Sequence, residues 1–566
     1  MLKKEETVII KLGEKMKNIK QQYIGVAIIL IVILNIFLIY NTRENLKNIN
    51  SDIENNDMAI LVNGEAQSTI PVKGSGNYDV TVNCTNGTAS WDYDNWGITI
   101  NTIDKGNIKC NVEFKTTYLR TASNVVATGV FLNGPLVKNT IESIEFMTSN
   151  NVPNEALGSW DVSANQDKSI MAWYYDRDSN GLYEVYIGGN GGVFANSDSS
   201  YLFQNLTYLS SINLANLDTS NVTNMSYMFW NTGYSSTIFT LDLGDKFNTV
   251  NVTNMSYMFR LTGYNSTVFT LNLGDKFNTV NVTNMSYMFY QTGYSSTAFT
   301  LNLGDKFNTA NVTDMGGMFG SAGYSSTVFT LNLGDKFDTS KVTEMSSMFY
   351  ATGYSSTVFT LNLGDKFDTS KVTTMYGMFY ATGYSSTVFT LNLGDKFDTS
   401  KVTEMSYMFY LTGYKSTVFT LNLGSKFDTS KVILMQSMFS DTGYSSTVFT
   451  LDLGDKFDTS NVTNMSNMFR DTGYSSPVFT LNFGNKFDTS KVANMGSMFA
   501  YIGYSNSYFT LDLRTFNFDK VTNYSNIFYA SKATHTAYVK NASDKTWVTG
   551  KGFAGTIIDC SSNTCP

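Results

Sequence analysis

The sequence predicts an α/β repeat solenoid with one strand plus one short helix per 30-residue repeat, preceded by a transmembrane helix and small all-β modules. Three observations carry this expectation. A block of 30 residues recurs ten times from residue 221. An uncharged apolar stretch runs from Tyr23 to Tyr40. Between the two, short runs alternate apolar and polar residues and are separated by turn residues.

The N-terminal stretch, YIGVAIILIVILNIFLIY, is apolar apart from Asn35. As a helix it measures roughly 27 Å, close to the hydrocarbon thickness of a bilayer. Lys3, Lys4, Lys11, Lys15, Lys17 and Lys20 precede it, and only Arg43 and Lys47 follow closely. The positive-inside rule then makes 1–22 a cytoplasmic basic tail, 23–40 a single-pass signal-anchor helix, and everything after Asn41 extracellular. No small-x-small cleavage site follows the stretch, which separates it from a cleaved signal peptide. The expected location is the cell membrane, with the membrane itself a partner through this helix.

Residues 41–58 are polar and Asn-rich and read as a stalk. Residues 59–115 read as a small β module, with AILVNG, YDVTVNC, GITINTI and IKCNVEF as strands and Trp91 and Trp96 in its core. The four cysteines allow three pairings. Export favours disulfides, and the local pairing Cys84–Cys110 and Cys560–Cys565 is expected, the first stapling two strands of a module too small to stand alone.

Residues 116–200 form an N-terminal cap region in which IMAWYYDRDSNGLYEVYIGG reads as a β-hairpin. Its turn carries Asp176, Asp178, Asn180 and, further on, Glu184, a weak calcium candidate. Ile187 occupies the place of the position-12 carboxylate, and Asp, Ser, Asn and Gly are also ordinary turn residues. No metal and no cofactor is expected.

The repeats occupy 201–530 and a C-terminal cap 531–566. Copies begin at 221, 251, 281, 311, 341, 371, 401, 431, 461 and 491, after a shorter unit at 201–220 whose leucines follow leucine-rich-repeat spacing. In the copy at 401–430, TVFTLNL alternates as a half-buried strand, with Phe419, Leu421 and Leu423 inward and Thr420 and Asn422 outward. In VTEMSYMF, Val402, Met405, Met408 and Phe409 fall at i, i+3, i+6 and i+7, read as the face of a short helix capped by Thr403 and ended by Gly413. The paired methionines are expected to fill the core rather than bind a soft metal. The recurrent Asp–Lys pair, as at Asp395–Lys396, reads as a solvated edge.

Stacked in parallel, the strands are expected to form one sheet on the order of 50 Å long. Outward Thr240, Thr270, Thr300, Thr330, Thr360, Thr390, Thr420, Thr450, Thr480 and Thr510 then make one ladder. Asn272, Asn302, Asn332, Asn362, Asn392 and Asn422 make a second. These are the candidate ligand-binding residues, offering the same hydroxyl and amide at every step to a polymeric or multivalent ligand. The competing reading is a ladder that only keeps an exposed sheet soluble and in register.

A single histidine, His535, and the lack of a phosphate loop, a Ser–His–Asp set or zinc spacing argue against an enzyme. The net charge of −8 argues against a nucleic-acid surface.

LDTSNVTNMSYMF at 217–229, repeated as FDTSKVTEMSYMF at 397–409, resembles the BspA-like leucine-rich repeat surface proteins of bacteria, also described as the DUF285 repeat family. WDVSANQDKSIMAWYYDRDSNGLYEVYIGGNGGVFANSDSSYLF at 160–203 is similar to the segment that precedes such repeats, so the resemblance covers 160–530. VNCTNGTASWDYDNWGITI at 82–100 looks like a module found beside the anchor in related surface proteins. The resemblance implies surface exposure and adhesion to host or matrix proteins, glycans or neighbouring cells. The spacing departs from the family's: Phe203 to Phe229 spans 26 residues and later copies take 30, the surplus lying in TGYSST and GDK. A structural spacer is the alternative function. A crystal-type surface binder using the Thr ladder is a third.

Overall fold

The computed structural model describes residues 69–71, 78–85, 87–92, 97–103, 109–357, 359–364 and 366–565. The expected basic tail, anchor helix and stalk at 1–58 lie outside the described residues, as does Trp96. Among the described residues, no helix is long and apolar enough to cross a membrane.

The first module is all β. Thr69–Pro71, Gly97–Ile103 and Gly87–Asp92 form one antiparallel sheet, and Tyr78–Thr85 pairs antiparallel with Lys109–Thr116. Cys84 is disulfide-bonded and stands opposite Cys110 in that ladder. Trp91 is buried.

The cap that follows is a five-stranded sheet in the order Ser211–Asn213, Ile141–Met147, Tyr183–Gly189, Ile170–Tyr175, Gly158–Asp161. The hairpin Ile170–Tyr175/Tyr183–Gly189 forms as its turn residues require. Ser211–Asn213 joins Ile141–Met147 in parallel, so the first unit of the solenoid grows from the cap's own edge. Lys138 is 1% exposed here, and its ammonium donates to the Gln204 carbonyl at 2.9 Å.

In the repeats, strands such as Val388–Asn392 and Val418–Asn422 bury their Phe and Leu and expose Val, Thr and Asn, the pleat enforcing a period of two. They pair in parallel with identical residues facing each other, Thr390 on Thr420 and Thr450 on Thr480.

The Met segment is not the expected helix. It is a ribbon of overlapping turns. Met405, Tyr407, Phe409 and Leu411 donate their N–H groups to Leu434, Gln436, Met438 and Ser440 of the next repeat at 2.9–3.1 Å, while Met408, Tyr410 and Thr412 close turns onto Met405, Tyr407 and Phe409 at 3.1–3.2 Å. Tyr407 and Leu411 sit at φ +61° and +59°, in the left-handed region that no α-helix accommodates. Thr403 is no N-cap, because its N–H and hydroxyl both donate to Thr373 of the preceding copy. The apolar spacing that predicted a helix is satisfied equally by inward corners of this ribbon: Val402, Met405, Met408 and Phe409 are 0% exposed. Gly413 does end the ribbon, at φ +59°, where a Cβ would lie 2.5 Å from the Phe419 ring. Among the described residues the one α-helix is Ala542–Gly550 in the C-terminal cap, N-capped by Asn541 and laid over the last turns through Trp547 stacked on Phe518 at 4.1 Å.

The continuous sheet is also redistributed. Ribbon bridges run unbroken from Asp198 through Asn224, Asn254 and each later copy to Asn523. The strands instead form separate sheets: Ile238–Asp242 pairs with Val268–Asn272, Ala298–Asn302 with Val328–Asn332, and the four from Val388–Asn392 to Val478–Asn482 make one sheet whose middle pair meets only at Val418 and Val448, while Thr360 lies outside any strand. The aromatic columns explain why. Neighbouring rings of the Tyr234–Tyr504 column are 4.2–5.0 Å apart. Those of the Phe239–Phe509 column are 5.3–5.9 Å apart. Those from Phe277 to Phe487 are 6.1–6.5 Å apart. A rotation between successive copies displaces points far from its axis most, so the axis runs on the tyrosine side. Displacement on the strand side then exceeds the ~4.8 Å of a regular ladder, and the strands match over their full length only in pairs, with a single register contact, Val418 on Val448, joining two of the pairs.

Burial without a counter-charge lowers the Lys138 pKa to about 8, against an ordinary 10.5. The folded state favours the neutral amine, so cap stability is expected to be lost as pH falls through about 8 and regained as it rises toward 9.5. Melting of Lys138→Met between pH 7 and 9.5 should lack that slope; an unchanged slope refutes the assignment.

Candidate functional site

Threonine stands in five columns of the repeat, and their sequences look alike. The structure separates them by what their hydroxyls do. Thr262, Thr412 and Thr472 donate to the buried carbonyls of Phe229, Phe379 and Phe439 at 2.6–2.8 Å. Thr249 and Thr399 donate to Asn278 and Asp428 carbonyls at 2.7–2.8 Å. Thr267 and Thr417 reach back to Thr237 and Thr387 carbonyls at 3.0–3.2 Å, and Thr253 to Thr223 at 3.2 Å. The strand column is different. Thr240, Thr270, Thr300, Thr330, Thr360, Thr390, Thr420, Thr450, Thr480 and Thr510 are exposed, and their hydroxyls have no protein partner among the described residues.

The Asn column is partly committed to the fold. Asn272, Asn302, Asn332, Asn362, Asn392 and Asn422 each accept the N–H of the glycine two residues on, at 3.0–3.2 Å. This side-chain turn ends the strand. Asn332 also donates to Asn302 at 3.2 Å. Beside the threonines runs a column that sequence reading passed over: Ile238, Val268, Val328, Val388, Val418, Val448 and Val478 are 49–64% exposed. Methyl groups and unspent hydroxyls thus alternate across one face, more apolar surface than solubility asks for.

The other candidates resolve into structure. Asp176 and Asp178 both accept the Asn180 N–H, at 3.0 and 3.2 Å, Asp176 accepts from Gly181 as well, and Glu184 pairs with Arg177 at 2.5 Å. The calcium candidate is a closed turn, and among the described residues no group of three His, Cys, Asp or Glu side chains is placed to hold a metal. Met405 and Met408 are sealed in the core. His535 is buried, with Nε2 3.1 Å from the Asn506 carbonyl, and burial lowers its pKa. Asp395 and Lys396 are exposed, as a solvated edge requires. Cys560 and Cys565 are bonded to each other. The Asn251 and Asn281 amides serve the stack, donating to the Ser220 and Val250 carbonyls at 2.7 and 2.8 Å.

Tyr234, Tyr264, Tyr294 and their successors to Tyr504 stack with interplanar angles of 3–22°. Each ring covers its neighbour's face, so the column presents edges outward. Burial raises the pKa of Tyr414 to about 12. Near the C-terminal end of this column, burial pushes Asp441 up to about 6, with Asp471 beside it adding to the rise, while the Ser440 hydroxyl and Arg470 oppose it.

Thr412→Ala should lower the denaturation midpoint by a loss of about 1 kcal/mol, the net worth of a buried hydrogen bond. Thr420→Ala should change it by no more than about 0.5 kcal/mol. Equal losses would show the strand hydroxyls to be structural. For Asp441, the folded state favours the protonated acid, so stability present below pH 4 is lost as pH rises through about 6. Asp441→Asn should abolish that loss in melts at pH 4 and 7.

Four overlapping segments of the solenoid, 197–328, 324–447, 384–485 and 445–551, match a family model described as "Mycoplasma protein of unknown function, DUF285". No curated protein and no solved structure matches the chain. The matches run from the last turn of the cap to the helix that closes the stack, more than half of the chain, and the protein belongs to the DUF285 family.

Proposed function

We propose that this is a BspA-like, membrane-anchored surface protein whose solenoid displays a repeated binding face for adhesion to host, matrix or neighbouring-cell ligands. It is read as a binding protein and not an enzyme. The anchor is the Tyr23–Tyr40 segment, with the repeats outside the cell.

One observation carries the reading. Of the threonine columns, the one on the strand face keeps its hydroxyls unspent, beside a column of exposed valines. A face built for stability alone would use those hydroxyls as the other columns do. A repeated array also gains from many weak contacts made together. The runner-up is a spacer without a ligand, favoured by the sameness of the strand face from copy to copy.

The test is saturable binding of the full-length protein, in lipid nanodiscs, to epithelial cells and to matrix proteins. A variant lacking residues 281–460, a whole number of repeats, runs beside it. Binding weakened at least about tenfold in the short form supports adhesion through the repeats. Undiminished binding assigns it to the modules before residue 200, and no binding leaves the spacer.

A further inference from the structure

The ten copies are nearly identical in most exposed places. The strand face reads VFTLN with few substitutions, and the Gly-Asp-Lys loop is kept in most copies. The outward corners of the turn ribbon are where the copies differ. The position before the second left-handed corner is occupied in turn by Trp230, Arg260, Tyr290, Gly320 and Tyr350, and later by Ser440, Arg470 and Ala500. Drift at exposed positions would not gather on one face.

Arg260 stands out within it. The guanidinium carbon lies 5.6 Å from the Trp230 ring centroid on the preceding copy, 5.4 Å from Tyr290 on the following one, and 5.5 Å from Tyr257. Such ring contacts attract a cation but supply no hydrogen-bond acceptor. The Nε of Arg260 and the Nε1 of Trp230 are buried donors without a partner. Arg177, Arg470 and Arg514 are each paired with a carboxylate, and Arg260 has no ion pair among the described residues. The ribbon segments 221–231, 251–261 and 281–291 contain no other charged residue, and the next ribbon acid, Asp314, is two repeats away. Arg260 is therefore a lone cation in an aromatic and hydroxyl-bearing surface, held without a neutralising group.

We propose that Arg260, with Trp230, Tyr257 and Tyr290, forms a binding point for a carboxylate-bearing polysaccharide laid along the ribbon of the first three repeats. The proposal rests on the adhesion reading and names its ligand class. The planar guanidinium fork matches a carboxylate. Tyr227, Tyr257 and Tyr287 stack at 4.6 and 5.0 Å with their faces covered, leaving phenol edges toward a ligand rich in hydroxyls. A peptide strand has no edge to join, since Tyr227, Phe229, Tyr257 and Phe259 spend their N–H groups on the next copy. One cation per three repeats suits a sparsely charged polymer and is too little for a nucleic acid.

The test measures binding of the full-length protein to hyaluronan, with neutral dextran and poly-glutamate as the other probes. Arg260→Gln is expected to weaken hyaluronan binding on the order of tenfold. Arg260→Lys, which keeps the charge and loses the fork, should fall between and guards against misfolding of the first variant. Arg470→Gln should bind as the unaltered protein does. Equal binding of dextran, equal Arg260 dependence with poly-glutamate, or an Arg260→Gln protein that binds hyaluronan unchanged overturns the proposal. Running the cell-binding assay on Arg260→Gln separates the two readings: cell binding lost with the repeats but kept in this variant overturns the site and leaves adhesion standing, whereas no cell binding by the unaltered protein removes both.

Discussion

Everything in the solenoid depends on one set of hydrogen bonds, those that run from each turn ribbon to the next. Met405, Tyr407, Phe409 and Leu411 each give their N–H to the following copy, and the intervening residues close turns within their own. Every second donor thus leaves its repeat. A single repeat left alone would strand these donors and expose Val402, Met405, Met408 and Phe409 together. Stacking satisfies both at once, so neither the ribbon nor its core exists without neighbours. The ends need covers for the same reason. The cap supplies one through Ile141–Met147 and Lys138, and the C-terminal helix supplies the other through Trp547.

The aromatic columns add what the ladder alone lacks, a fixed orientation of each copy on the last. Phe409 is 5.6 Å from Phe379 and 5.4 Å from Phe439, the planes within 8° of parallel. Such pairs contribute about 0.5–1.5 kcal/mol each beyond burial. Because the tyrosine column is tighter than the phenylalanine columns, the copies fan away from it, and the strand side opens. On that side three successive loops, at Gly274, Gly304 and Gly334, line an open cleft of about 610 Å³.

The sequence makes the strand half of each repeat legible, because a pleated strand ties every second residue to the core and the Phe-Thr-Leu triplet obeys that rule in every copy. The hairpin at 170–189 is legible from its turn. The ribbon is not legible from apolar spacing, since a helix and a chain of turns bury the same positions. The signal that separates them lies at the left-handed corners. Gly317, Gly377 and Asn467 replace Tyr at one corner, and no β-branched residue occupies either corner in any of the ten copies. The site is legible only in part. Exposure of the Thr column follows from alternation, but identical threonines do not reveal which hydroxyls are spent. Arg260 is hidden in sequence because its setting is a matter of space: only the stack brings rings from three copies around the guanidinium and leaves its Nε buried without an acceptor.

The unequal spacing across the stack makes its stiffness directional. The tyrosine side is already at contact distance and resists being shortened. The strand side holds its slack between pairs, where Gly304 and Gly364 have open space beside them while Gly274 and Gly424 are pressed against their neighbours. A force applied at the far end therefore bends the rod by closing or widening those intervals before it strains any ribbon bond. Such a rod behaves as a leaf spring rather than a stalk, yielding toward one side under load and returning when the load is removed.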